Sequence, residues 1–261
     1  MSSSIKSAER TLDVLQLLSS SLRPVPTMVI ARRCGIPKSS THHLLNVMRD
    51  RGWVIYYEGD RGWGLGALAF EMGSAYLRSQ PVQRLAQPVL QELTAATGET
   101  SHLAALHGDE VLYLDQEVDR GSSLPLVTAV GVRLPAHLTG AGRAMLAWLS
   151  AQQVRALYVR PVLVRRTERG PVTVSRLLDE LGEVRVRGYA VEVGLTTAGV
   201  GSLAAAALSH EGHPTAALGV TFAAKRYDET ALQGLASEVC AAARRLSDAM
   251  GVRRRDLAAA V

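Results

Sequence analysis

Long apolar runs are missing from this sequence. None approaches the roughly 20 residues that a membrane-spanning helix requires, so a soluble chain with no membrane partner is expected. The opening stretch MSSSIKSAERTLDVLQLLSS scatters charges through its apolar positions and has no continuous apolar core before a cleavage site, so no secretory signal is expected. Cysteine is scarce as well. Cys34 and Cys240 stand far apart without metal-type spacing, the pattern of two thiols in or near cores in a reducing cytoplasm and not of a disulfide.

Catalytic motifs are also missing. Ser202 lies in Gly-Val-Gly-Ser-Leu-Ala, without the later glycine that a G-x-S-x-G nucleophile elbow needs. His210-Glu211-Gly212-His213 lacks H-E-x-x-H spacing and falls in a turn beside Pro214. His42 and His43 are adjacent, and neighbouring helical side chains point about 100° apart, too far to share one ion easily. Gly62 to Ala67 fits the letters of a G-x-G-x-x-A dinucleotide loop, but no βαβ unit surrounds it and no acidic residue stands about 20 positions on. His102, His107 and His137 are scattered. No metal, cofactor or catalytic residue is therefore expected.

What is present points to two parts. A chain of 261 residues exceeds the roughly 100 to 200 of one typical domain, and 47% hydrophobic residues can bury sizeable cores. Charge is uneven along it. Residues 1–80 carry 10 Lys and Arg against 6 Asp and Glu, net +4, whereas residues 81–261 carry 19 against 18, net +1. A small basic module on a near-neutral larger one suits a polyanionic partner for the small one.

Within the basic third, Ala8, Leu12, Leu15 and Leu18 recur at helical spacing and predict a first helix with one buried face. Pro24 and Pro26 break the chain, Thr27 can cap a second short helix to about Cys34, and Gly35 ends it. Pro37 suits the first turn of a third helix. Helix, tight glycine turn, helix is the helix-turn-helix pattern. The period of the third helix turns Thr41, Leu44, Leu45 and Met48 inward and leaves Lys38, Ser39, His42, His43, Asn46 and Arg49 outside. Cationic and hydrogen-bonding side chains at a helix start are what a major groove receives, although a protein-interaction module has the same outline. Two short strands follow, Trp53 to Tyr57 and Gly62 to Leu65, joined by Glu58-Gly59-Asp60-Arg61. This hairpin is a wing, with Arg61 at its tip placed to reach DNA, and Trp53, Tyr56 and Trp63 suited to cover the small core.

Downstream, periodicity predicts an α+β domain. A helix over Val82 to Thr97, a hairpin of Ser101 to His107 with Val111 to Val118, a second hairpin of Leu203 to Leu208 with Ala216 to Phe222, and a closing helix over Asp228 to Met250 are expected. Leu138-Thr139-Gly140-Ala141-Gly142-Arg143 leads into a helix over Ala144 to Leu149 that Thr139 can cap. This segment reads either as an ordinary capped helix or as a receiver for a ligand oxygen, since its backbone N–H groups meet the positive end of the helix dipole.

The first three blocks, SIKSAERTLDVLQLL, GIPKSSTHHLLNVMRDRGWV and GWGLGALAFEMGSAYL, resemble the winged helix-turn-helix of the IclR family of bacterial transcriptional regulators. The likeness continues in order through VLQELTAATGETSHLAALHGDEVLYLD, GVRLPAHLTGAGRAMLAWL, VRVRGYAVEVGLTTAGVGSLAAAAL, HPTAALGVTF and CAAARRLSDAMG. The resemblance implies a winged helix-turn-helix over residues 1–66, a linker helix over 67–80, and over 81–261 a GAF-like effector-binding domain with a central antiparallel sheet. It implies homodimers or dimers of dimers on double-stranded operator DNA; the linker helix Ala67 to Arg78, whose Leu68, Phe70, Met72 and Tyr76 give it more apolar surface than one small domain can cover, is expected with the first helix as the interface. Where the family usually has Arg on the recognition helix this chain has His43, where many members have Lys it has Arg143, and where Asp and Cys are common in the pocket block it has Glu192 and Ser202.

Under this resemblance the chain is read as a ligand-responsive DNA-binding transcriptional regulator, not an enzyme, that senses a small organic acid or an aromatic or acyl metabolite. The effector is expected between Thr139, Gly140 and Ala141 and a strand block carrying Glu192, Ser202 and Thr221, with its acid end on the Gly140 and Ala141 N–H groups and Leu126, Leu134 and Met145 as apolar wall. Glu192 favours a ligand with a hydroxyl or amide donor. The alternative is a GAF-like enzyme or small-molecule-binding protein carrying an accessory interaction module.

Overall fold

The computed structural model describes residues 5–21, 23–79, 81–119, 121, 128–160, 162–171 and 173–251, the side chains of 76–79 and 81 excepted. The chain divides into two compact units, residues 1–80 and 81–261.

The first unit runs α1 (Lys6–Ser19), α2 (Thr27–Arg33), α3 (Lys38–Asp50), β1 (Val54–Tyr57), β2 (Gly62–Leu65) and α4 (Ala67–Ser79). Its core gathers Val14 and Leu18 from α1, Ile30 from α2, Leu45 and Met48 from α3, and Val54 and Trp63 from the hairpin. The buried face of α1 differs from the expected one. Val14 and Leu18 are buried and Leu15 half-buried, but Ala8 and Leu12 are exposed, so the buried residues of α1 lie in its last two turns. Thr27 does not cap α2. It is the first helical residue, and its hydroxyl accepts the Trp63 indole N–H at 2.9 Å, a contact 36 residues away that outcompetes the local one. The strands pair antiparallel from Val54 opposite Leu65 to Tyr57 opposite Gly62. The glycines here serve close packing: a Cβ on Gly66 would meet the Gly52 carbonyl, and one on Gly62 would meet the Pro24 backbone.

The second unit continues with α5 (Pro81–Thr97), β3 (Thr100–His107), β4 (Glu110–Glu117), β5 (Arg133–Pro135), a 3-10 turn (Ala136–Leu138), α6 (Gly140–Leu146), α7 (Ala151–Leu157), α8 (Val174–Arg187), β6 (Ala190–Val193), β7 (Val200–Leu208), β8 (Pro214–Ala223), a 3-10 turn (Ala224–Arg226) and α9 (Glu229–Ala249). The strands form one antiparallel sheet in the order β5-β4-β3-β8-β7-β6. Alternation along each strand feeds two cores. Leu103, Leu203, Leu218 and Val220 pack against α5 and α9. Ala104, Ala204 and Ala217 lie on the opposite face with Met145 and Leu146 of α6 and Leu177 and Val184 of α8. These alanines let α6 approach the sheet closely.

The helix expected over Ala144 to Leu149 begins earlier, at Gly140, because Thr139 caps it by accepting the Gly142 N–H at 3.0 Å. Helix α8 escaped the sequence reading. Its signal was local: Leu177, Leu181 and Val184 at helical spacing, Thr173 capping the start, and Gly188 at φ +83° ending it. No helix among the described residues is long and apolar enough to cross a membrane.

Candidate DNA-binding and effector sites

Helix α3 is positioned by the turn before it. Gly35 adopts φ +62°, which favours glycine, and the Ile36 N–H closes onto the Ala31 carbonyl at 2.9 Å. Thr41, buried, donates its hydroxyl to the Pro37 carbonyl at 3.1 Å, so the side that carries Thr41, Leu45 and Met48 is locked inward. Lys38, Ser39, His42, His43, Asn46 and Arg49 are all exposed on the outer side. Arg49 pairs with Asp50 at 3.2 Å, an exposed contact of little energetic weight that leaves the guanidinium available. His43 also borders a hollow of about 440 Å³ with Ser7 and Arg10 of α1, a neighbourhood that the helix period alone does not reveal. Arg61 is exposed at the hairpin tip with φ +47°, and its N–H bonds the Glu58 carbonyl at 3.3 Å.

In the second unit, strand register builds a polar row. Glu192 of β6 stands opposite Ser202 of β7, which stands opposite Thr221 of β8. All three are buried. The start of α6 closes over this row: the Gly140 N–H donates to Ser202 Oγ at 3.2 Å, and the Ser202 hydroxyl donates to Glu192 Oε1 at 3.0 Å. The Leu195 N–H donates to Glu192 Oε2 at 3.0 Å. A Cβ on Gly140 would stand 2.9 Å from Ser202 Oγ, which is why this position has none.

Burial raises the Glu192 carboxyl to about 7, against the lowering influence of the Leu195 N–H, the Ser202 hydroxyl and the Arg143 cation. Glu192 therefore changes protonation near neutral pH and can either accept or donate a hydrogen bond. Tyr113 lines the same space, its phenol pushed above the ordinary range by burial and by Glu192. The hydroxyls of Thr128 and Thr221 have no partner among the described residues.

Of the residues expected at the effector site, Leu134, Thr139, Glu192, Ser202 and Thr221 line one cleft, joined by Tyr113, Thr128, Thr196 and Val200, which the sequence reading did not name. Tyr113 was legible in principle, as it alternates with Val111 on one face of β4. Ala141 and Met145 depart from expectation: both are packed into the core between α6 and the sheet, and of this stretch only Thr139, the cap residue before α6, lines the cleft, Gly140 standing outside its lining. The Gly140 N–H is likewise committed to Ser202 rather than to a ligand. Leu126 lies outside the described residues. The enclosed space is small, about 10 Å³, so the cleft must widen to admit an organic molecule.

Comparison with known proteins matches both units of the chain. Residues 7–56 match the family model described as the IclR helix-turn-helix domain, and residues 74–248 match the one described as bacterial transcriptional regulator IclR C-terminal. The chain belongs to the IclR family of bacterial transcriptional regulators. The acetate operon repressor of Salmonella typhimurium is 31% identical over 249 residues, covering 95% of this chain and 90% of that protein. Among solved structures, an IclR transcriptional regulator from Alicyclobacillus acidocaldarius aligns at TM-score 0.82 and 23% identity over 95% of this chain and all of that one. An IclR homolog from Microbacterium hydrocarbonoxydans complexed with 4-hydroxybenzoate aligns at TM-score 0.80 and 22% identity over 97% and 99%. As an IclR-family member, the chain is a DNA-binding transcriptional regulator with a C-terminal effector domain, and the enzyme reading falls away because the family consists of regulators.

Proposed function

We propose that the first unit reads operator DNA through the outer side of α3 and that the second, GAF-like unit senses a small aromatic or acyl acid carrying a hydrogen-bond donor such as a hydroxyl. On this reading Lys38, Ser39 and Arg49 hold phosphates, His42, His43 and Asn46 face base edges, and Arg61 touches the flanking backbone or minor groove. One module buries too little surface for useful specificity over a genome, so the regulator works as a homodimer or dimer of dimers. The linker helix α4, with Phe70 and Met72 exposed, supplies contact surface.

The observation that carries the effector reading is the relay from Gly140 through Ser202 to Glu192 beside the Thr128 and Thr221 hydroxyls, which have no partner among the described residues. A ligand hydroxyl can engage Glu192, and the threonines can serve a ligand oxygen. The 4-hydroxybenzoate bound by the relative of like fold carries both an acid and a hydroxyl. Because the relay ties α6 to the sheet, a ligand that rearranges it shifts the population of one arrangement of the DNA-binding units over the other, by about 1.4 kcal/mol for each tenfold change in operator affinity.

A gel-shift titration on the DNA upstream of the regulator's own gene tests the DNA half. Asn46→Ala or His43→Ala should cost about 1 to 3 kcal/mol on the specific site, whereas Lys38→Ala should weaken all sequences alike. Unaltered binding by all three folded variants refutes the assignment of this helix side. Calorimetry with hydroxylated aromatic acids on wild type and Glu192→Ala tests the effector half, which fails if affinity and operator release are unchanged by the substitution.

A further inference from the structure

A second cavity lies away from the Glu192 cleft and shares none of its lining. It holds about 340 Å³ between the β3–β4 turn, the 3-10 turn before α6 and the segment that follows α7. Leu157, Val162 and Leu163 give it apolar walls, and His137, Tyr158 and Asp109 give it polar groups.

The polar groups are unsatisfied in a specific sense. His137 is 3% exposed and Tyr158 8%, with their rings edge-on at 5.5 Å. His137 Nε2 lies 2.8 Å from the Val164 carbonyl, which can only accept, so this nitrogen carries the hydrogen. Burial holds the ring below its usual pKa against the opposing influence of the Val164 carbonyl and the Asp109 carboxylate. In the neutral ring Nδ1 is then a bare lone pair, and it has no partner among the described residues. The Tyr158 hydroxyl meets no partner at full hydrogen-bond geometry, although the His137 backbone N–H stands near enough to oppose the rise in its pKa, and both atoms are sealed from solvent, so a ligand reaches them only as the cavity wall parts. Burial keeps that phenol protonated, and the Asp109 carboxylate adds to the effect, so the carboxylate's field reaches both rings. Of the other charged groups, Glu110 pairs with Arg133 at 3.7 Å, Arg143 is held by Glu180, and Arg160 stands on the exposed rim.

Two acceptors and a phenol around an apolar hollow call for a donor with a positive charge. We propose that this cavity is a second ligand site, taking a compact primary amine whose ammonium is shared by His137 Nδ1, Asp109 and Tyr158 and whose apolar body lies on Leu157, Val162 and Leu163. An ammonium has three donors and no acceptor, which matches this set group for group. A carboxylate placed there instead meets a lone pair and a like charge. The inference does not depend on the effector reading of the Glu192 cleft.

Calorimetry on the full chain with 2-phenylethylamine, alone and in competition with 2-phenylacetate, tests it. The amine should bind saturably with one site per chain, and the acid, whatever it does at the Glu192 cleft, should not displace it. Asp109→Asn and Tyr158→Phe should each weaken the amine by about tenfold or more, the size expected for a hydrogen bond to a charged group. Both variants should fold, since Asp109 is exposed and its carbonyl keeps the Ala136 N–H bond at 2.8 Å, while Phe keeps the Tyr158 ring. Glu192→Gln should leave amine binding unchanged. The proposal is overturned if no saturable amine binding occurs, if 2-phenylacetate displaces the bound amine, if both cavity variants bind the amine like wild type, or if Glu192→Gln abolishes amine binding.

Discussion

Ser202 and Glu192 face each other on neighbouring strands, and the Ser202 hydroxyl donates to Glu192 Oε1 at 3.0 Å while accepting the Gly140 N–H at 3.2 Å. One small hydroxyl thus ties the start of α6 to a carboxyl that titrates near neutral pH.

The first prediction is a pH dependence. The folded-state pKa of Glu192 is raised from 4.5 to about 7 by burial. The contribution it makes is fully present below pH 4.5 and is lost as pH rises through 7. A shift of this size corresponds to about 3 kcal/mol. The unfolding free energy of wild type minus that of Glu192→Gln, from urea titrations, should fall by about that amount between about pH 4.5 and about pH 8. His102, lowered to about 4 by burial, acts in the opposite direction but equally in both proteins. A flat difference refutes the prediction.

Ser202→Ala leaves the buried Gly140 N–H without its acceptor. The expected loss is about 1 to 3 kcal/mol. Thermal unfolding measures it, and Ser202→Thr, which keeps the hydroxyl, separates loss of the bond from loss of fit.

Gly142→Ala should be far worse than an exposed glycine substitution. A Cβ there would collide with the backbone carbonyl and Cα of Ala136, which cannot swing away as a side chain can. Gly182, on α8 with nothing near its would-be Cβ, is the control. Gly142→Ala should lose about 3 kcal/mol or fail to fold, while Gly182→Ala should be neutral or stabilising by up to about 1 kcal/mol. Equal melting temperatures for the two would contradict the packing described.

Self-association should depend on α4. Phe70 is 79% exposed and Met72 55%, on a helix with more apolar surface than its own unit covers. Phe70→Glu should shift sedimentation at micromolar concentration toward the monomer and weaken operator binding in step. An unshifted assembly would remove α4 from the interface.

What the sequence determined by itself was local or periodic. The outer and inner sides of α3, the bounds of β2 and the Thr139 cap follow from helical period, pleat and capping chemistry within a few residues, and the structure has them as expected. Local rules failed where a distant group competed. Thr27 gave its hydroxyl to Trp63, Ala8 and Leu12 found nothing to bury them within their unit, and the Gly140 N–H went to Ser202, 62 residues on. The polar row of Glu192, Ser202 and Thr221 needs the register of three strands, and the His137–Tyr158 cavity needs the fold of a segment after α7 against a 3-10 turn. Burial of a carboxyl or an imidazole is a property of every element packed around it, so the protonation of Glu192 and His137 was decided only by tertiary structure.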